Sequence, residues 1–159
     1  MSNTVSVTTL SSPSTVLTAE ALQTAFYNSP RGGDWDNSNG LQCVDLFKWF
    51  IDNYTTLTNV SGNGKDCAPN LAATNNLPTS STPTPFSVFS VDSYVIGMGG
   101  TGVYEGHTGV VLSVNTSNKT CVVFHTGNSL VGKNPNSLIS TCSYDIDGLT
   151  FVDVRNFLK

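Results

Sequence analysis

Midway along the chain the spacing of apolar residues changes from three and four to two, and no other feature constrains the fold as much. Over LQCVDLFKWFIDNY (41–54), Val44, Phe47, Ile51 and Tyr54 recur at three- and four-residue steps, with Leu46 and Phe50 beside them. That is the stripe of an amphipathic helix, and it puts Cys43 in the helix's first turn. Upstream, LTAEALQTAFYNSPRGG offers Thr18 as an N-cap, apolar residues at Ala21, Leu22, Ala25 and Phe26, and a Pro-Arg-Gly-Gly stop. It predicts a first helix. Thr55 to Pro85 reads as loop, with SGNGKD, NN and STPTP around a short apolar patch at Leu71 to Ala73. Beyond it FSVFSV, SYVIG, HTGVVLSV, KTCVVFH and LTFVDV read as short strands between Gly, Asn and Asp turns, with NTSN (115–118) as a hairpin turn. Helices first and an antiparallel sheet second predict an α+β domain. Residues 1–17, rich in Ser, Thr and Val, read as an extended N-terminal arm. Residues 18–159 read as one domain, because neither side of the central loop has enough core to stand alone.

Composition narrows the functional classes. A chain of 159 residues can bury a single core of ordinary size. Charged residues make up only 11%, and seven Lys plus Arg against eleven Asp plus Glu give a net charge of −4. There is no basic stripe to hold a phosphate backbone, so nucleic acid is not an expected partner. No run of eighteen apolar residues exists, so no membrane span is expected. MSNTVSVTTLSSPSTVLTAE lacks the basic and apolar regions of a secretory signal, so action outside the cytoplasm would need another route. Cys43, Cys67, Cys121 and Cys142 have no CxxC spacing and no paired rhythm, against both a zinc ribbon and a disulfide framework. At least one thiol is left for chemistry.

The run DWDNSNGLQCVDL (34–46) reads as a calcium loop with a cysteine inside it. The ligand positions of a twelve-residue EF-hand loop fall on Asp34, Asp36, Ser38, Gly40 (through its carbonyl), Gln42 and Asp45. Asn39 stands where a glycine belongs, which its tolerance of the left-handed conformation makes mild. Asp45 stands where a longer Glu is usual, which shortens the reach. The bland alternative is that Asp34 and Asp36 cap the following helix. A bound divalent ion would neutralise charge that otherwise discourages a thiolate at Cys43.

A thiol in a helix's first turn feels the positive end of the dipole and unpaired amides, both of which favour thiolate. It also needs a base. The only histidines are His107, which opens a strand after the turn EGH, and His125, which ends the next strand across the NTSN hairpin. Adjacent strands can bring the two imidazoles together, giving a base and an orienting group. Two other readings stay open: strand-end histidines on the surface, and zinc held by Cys43, His107 and His125, against which stand the hard oxygen donors and the lack of a second soft ligand. Cys121 and Cys142 read as small core residues, and Cys67 as a free thiol in a polar loop.

Taken together, GLQCVDLFKWF, EGHTGVVLSV and CVVFHTGN resemble the CHAP family, the cysteine, histidine-dependent amidohydrolases and peptidases that cleave peptidoglycan. The likeness runs from about Ala19 to Lys159, and its most specific piece is Gly-x-Gln-Cys-x-Asp-Leu at Gly40 to Leu46 behind the Asp-x-Asp of Asp34 and Asp36, as in calcium-binding phage endolysins. The resemblance implies a papain-like α+β fold with N-terminal helices on a C-terminal antiparallel sheet. It implies Cys43 as nucleophile and His107 as general base, with a structural calcium ion held by side chains of Asp34, Asp36 and Asp45 and carbonyls of Ser38 and Gly40. The Cys43 amide and Gln42 would meet the oxyanion. At the third position the chain departs from the family: the usual Glu-x-Asn strand reads VVFHTGN. There His125 fits the second histidine of the related NlpC/P60 peptidases, with Asn128 as the fallback, while Asp92 is a structural candidate. The implied activity is that of an N-acetylmuramoyl-L-alanine amidase or peptidoglycan endopeptidase, a monomer acting on the wall after phage lysis, virion delivery or dedicated export. The alternative is a non-catalytic virion or wall-binding module on the same fold.

Overall fold

The computed structural model describes residues 11–12, 15–16, 18–127 and 138–159, so Asn128 lies outside the described residues. A two-residue pair, β1 (Ser11–Ser12) with β2 (Thr15–Val16), precedes helix α1, Ala19–Tyr27. Helix α1 starts as expected: the Thr18 hydroxyl oxygen accepts the Ala21 N–H at 3.1 Å, satisfying a donor that the helix itself cannot. One 3-10 turn, Pro30–Gly33, leads towards α2, Cys43–Tyr54. This helix buries Val44, Leu46, Phe47, Trp49, Phe50 and Ile51, a wider face than its stripe predicts. Only Asp52 and Asn53 of this helix are exposed, so neighbours cover most of its circumference.

The expected central loop contains a third helix, α3, Gly64–Asn75. The Asp66 carboxylate reaches back to accept the Asn63 N–H at 3.2 Å, and Asn76 closes the helix in the left-handed conformation. Its buried face is Cys67, Ala68, Leu71 and Ala72, and Pro69 lies inside it. The buried positions keep the three- and four-residue spacing of a helix, but small side chains and the exposed Pro69 leave the stripe faint; packing against the sheet holds it helical. Cys67 is therefore not a loop thiol. It is buried in α3, its Sγ lies 3.3 Å from the Asn63 carbonyl oxygen, and burial pushes its pKa far up.

Five strands form the main sheet: β3 (Ser87–Val91), β6 (His107–Asn115), β7 (Thr120–Phe124), β8 (Ile139–Ser143) and β9 (Leu149–Asp153), in the order β8-β7-β6-β3-β9. Every pairing is antiparallel. The period of two divides the side chains between two layers. Val88, Val110, Leu112, Phe124 and Val152 face the core shared with the helices, while Phe89, Val91, Val111, Val123 and Phe151 build a second cluster. The hairpin at NTSN is present, with Asn115 paired to Thr120. SYVIG does not join the sheet: β4 (Ile96–Gly97) pairs only with β5 (Gly100–Thr101), a small hairpin between β3 and β6. Strand β8, ISTCS, lies at the sheet edge, where small polar residues suffice and no apolar alternation marks it. The α+β, helices-then-sheet arrangement is the one expected. Among the described residues no helix is long and apolar enough to cross a membrane.

Candidate active site

A cleft of about 560 Å³ opens at the N-terminus of α2, bounded by Gln42 and Cys43 on one side and by His107 and His125 on the other. Helix α2 packs against β6, which brings its first residue, Cys43, to the start of that strand. The thiol is half-buried, and the backbone amides of Thr108, Val44 and Cys43 itself favour its charged form. These amides pull its pKa down, yet burial outweighs them and, with the Asp45 charge, leaves the thiol above its ordinary value. The helix dipole alone therefore does not deliver the thiolate expected from the sequence.

His107 reaches the cleft because the turn before it is extremely tight. Gly106 has φ +65°, and any side chain there would collide with the Val91 carbonyl oxygen. Both imidazoles are buried, which overturns the reading of surface histidines. His107 Nε2 and His125 Nδ1 are 2.9 Å apart, with the rings at 89°. Gly99 covers the pair, since a Cβ there would fall 3.0 Å from His107 Nε2. Burial lowers the pKa of His107, helped by the neighbouring His125, and burial likewise lowers that of His125. Both are neutral rings at neutral pH.

The chain of contacts continues to a residue not anticipated from the sequence. His125 Nε2 lies 2.8 Å from Ser140 Oγ on β8. A neutral imidazole carries one N–H, so the three groups have two self-consistent proton arrangements. In one, Ser140 donates to His125, His125 to His107, and His107 is left with N–H at Nδ1. In the other, His107 Nε2–H donates to His125 Nδ1 and His125 Nε2–H donates to Ser140 Oγ, so that His107 Nδ1 keeps its lone pair. Only the second makes His107 a base. The signal for Ser140 was hidden because its strand has no apolar alternation; its neighbours in register along β7 were visible.

In the loop before α2, carboxylate oxygens of Asp34, Asp36 and Asp45 lie within 4.8 Å of one another. Asp45 is fully buried: Oδ1 accepts the Asp36 N–H at 3.2 Å and Oδ2 accepts the Gln42 N–H at 2.7 Å. Asp45, not Asp34 or Asp36, thus caps α2, and burial raises its pKa. Asp34 and Asp36 instead fold the loop, each accepting the Ser38 N–H, at 3.2 and 3.0 Å. Asn37, Asn39 and Gly40 all have positive φ, so Asn39 does serve where a glycine is usual. The Lys48 ammonium sits 2.8 Å from Asp36 Oδ2 and holds that carboxyl below its usual range. Three converging carboxylates on a turned loop match the oxygen-donor chemistry of a hard divalent cation, with Lys48 as a competing charge. Among the described residues this is the one His/Cys/Asp/Glu group spaced to hold a metal, so Cys43, His107 and His125 do not form the alternative zinc site.

A family model described as the CHAP domain matches residues 32–128, a span that includes the aspartate loop, Cys43, His107 and His125. None of the curated proteins compared with the chain matches it. With well over half of its length inside that match, the chain belongs to the CHAP domain family, a family of peptidoglycan hydrolases.

Proposed function

We propose that this chain hydrolyses an amide bond of bacterial peptidoglycan with Cys43 as nucleophile, His107 as general base and acid, and His125 as the group that orients His107. The observation that carries this reading is the His107–His125–Ser140 hydrogen-bonded chain facing the cleft that Cys43 also lines. Because burial disfavours both the thiolate and the imidazolium, the resting pair is neutral, and proton transfer accompanies attack. The Cys43 proton passes to His107 Nδ1 as sulfur bonds to the amide carbon. The oxyanion of the tetrahedral intermediate is met by the Cys43 amide and by Gln42. His107 then protonates the departing amine, the C–N bond breaks, and a thioester remains on Cys43. Water, deprotonated by His107, attacks the thioester and releases the carboxylate product and the thiol.

Calcium fits the same reading as a structural ion. Side chains of Asp34, Asp36 and Asp45, with carbonyls of Ser38 and Gly40, would hold it. Bound there, it would neutralise the aspartates and stiffen the turn into α2 without touching substrate.

The test is Cys43→Ala with purified peptidoglycan. Hydrolysis should disappear while binding to the wall persists, and mass spectrometry of the wild-type fragments assigns the bond, amidase or endopeptidase. Undiminished hydrolysis by the alanine variant would sink the mechanism. Wall binding by a wild-type protein that releases no fragments would favour the non-catalytic module instead.

A further inference from the structure

Large apolar side chains exposed to solvent are few, and they are not scattered. Among the described residues they are Tyr94 (70% exposed), Ile96 (78%), Val103 (45%) and Tyr104 (54%), all in the excursion between β3 and β6 that carries the β4–β5 hairpin. Isolated exposed apolar residues need no explanation, but a cluster does. This one is also held in place. The Tyr94 N–H donates to the Val103 carbonyl at 2.9 Å, tying the two limbs together. Lys65 Nζ lies 3.6 Å above the Tyr104 ring and 3.3 Å from Ser93 Oγ, which in turn donates to the Tyr104 carbonyl at 2.7 Å. The Tyr94 ring stands 6.2 Å from that of Tyr104, tilted by 58°. The patch runs into the cleft, because Val103 and Glu105 line it together with Cys43 and His107.

We propose that Tyr94 and Tyr104, flanked by Ile96 and Val103, form a stacking platform for the glycan strand of peptidoglycan alongside the cleft. The inference rests on the hydrolase reading for the identity of the polymer. A net charge of −4 on a chain only 11% charged offers no electrostatic hold on a wall whose stem peptides carry carboxylates. Affinity must then come from neutral surface. A pyranose ring presents an apolar C–H face rimmed by hydroxyls, and a tyrosine presents an apolar ring face with a hydrogen-bonding tip. Lys65 covers one side of Tyr104 and fixes the ring, so that little ordering remains to be done on binding. The platform would hold the polymer while the stem peptide enters the cleft.

The experiment uses the full chain carrying Cys43→Ala, with and without Tyr94→Ala/Tyr104→Ala, so that binding is read without turnover. The double substitution should weaken binding to purified peptidoglycan about tenfold, whereas Tyr94→Phe/Tyr104→Phe should keep most of it. Glycan strands stripped of peptide should compete for the platform, and free stem peptide should bind both proteins equally. Unchanged wall binding by the alanine pair would overturn the proposal. So would an equal loss on free stem peptide, which would make the patch a peptide subsite. A loss of self-association in light scattering, or of binding to lipid vesicles, with wall affinity intact would assign the patch to a second copy or to a membrane and also overturn it. A protein that never cleaves walls but still binds them through these tyrosines would refute the hydrolase reading and leave the platform standing.

Discussion

At the scale of single residues, the protonation state of the cleft is set by burial more than by sequence neighbours. Cys43 sits at a helix N-terminus among amides, yet burial keeps it a thiol, and the paired histidines stay neutral for the same reason. Under the proposed mechanism the decisive variable is then which nitrogen of His107 carries the proton, and Ser140 stands two hydrogen bonds from that choice, accepting from His125 in one arrangement and donating to it in the other. The chain has only two histidines, so its imidazole nitrogen spectrum contains four signals and can be read without ambiguity. Wild type should show His107 protonated at Nε2. Ser140→Ala should mix the tautomers and lower kcat about tenfold with KM little changed, a loss typical of a misoriented base. Ser140→Thr should restore both readings. If the alanine variant keeps the wild-type nitrogen spectrum and kcat, Ser140 does not position the pair. His125 and its contact with His107 were legible in the sequence because one hairpin joins their strands. Ser140 was not, because its partner lies across a second pairing that no local pattern announced.

At the scale of elements, legibility followed the size of the buried side chains. Helix α2 announces itself through Phe47, Phe50 and Ile51, whereas α3 buries Cys67, Ala68, Leu71 and Ala72 around a proline. The clearest local trace of α3 is its start, Asn63 followed by Asp66 at capping distance, with the apolar patch at Leu71 to Ala73 behind it. The loop from Asp34 into α2 is the element whose behaviour should depend on metal. Asp45 links it to the helix through the Asp36 and Gln42 amides, and Lys48 now occupies Asp36. Calcium at about a hundred times its dissociation constant should raise the melting temperature by about 5–10 °C, and chelator should reverse the gain and lower activity. Lys48→Met should tighten calcium in a direct titration, since the ion no longer displaces an ammonium. A melting temperature indifferent to both calcium and chelator would remove the ion from the picture.

At the scale of the whole molecule, the buried histidine pair couples folding to pH. Folding depresses both imidazole pKa values from 6.5, so below about pH 6.5 the unfolded chain binds more protons and stability falls as pH falls. Between pH 7 and 5.5 the loss should be on the order of 2 kcal/mol, read as a drop in the denaturant midpoint. His125→Gln should flatten the slope. Burial raises the Asp45 pKa, so Asp45 opposes the trend, and the His125→Gln comparison separates the histidine contribution from it. A midpoint constant from pH 7 to 5.5 would show that the rings are not held neutral. By itself the sequence determined the order of helices and sheet, the helical setting of Cys43, the hairpin that sets His107 and His125 on adjacent strands and the aspartate loop, because each is written in spacings of a few residues. Tertiary structure alone decided α3, the edge strand with Ser140, the neutral state of the thiol and the exposed tyrosine pair beside the cleft. Those depend on which surfaces are buried together, and burial is a property of residues far apart in the chain.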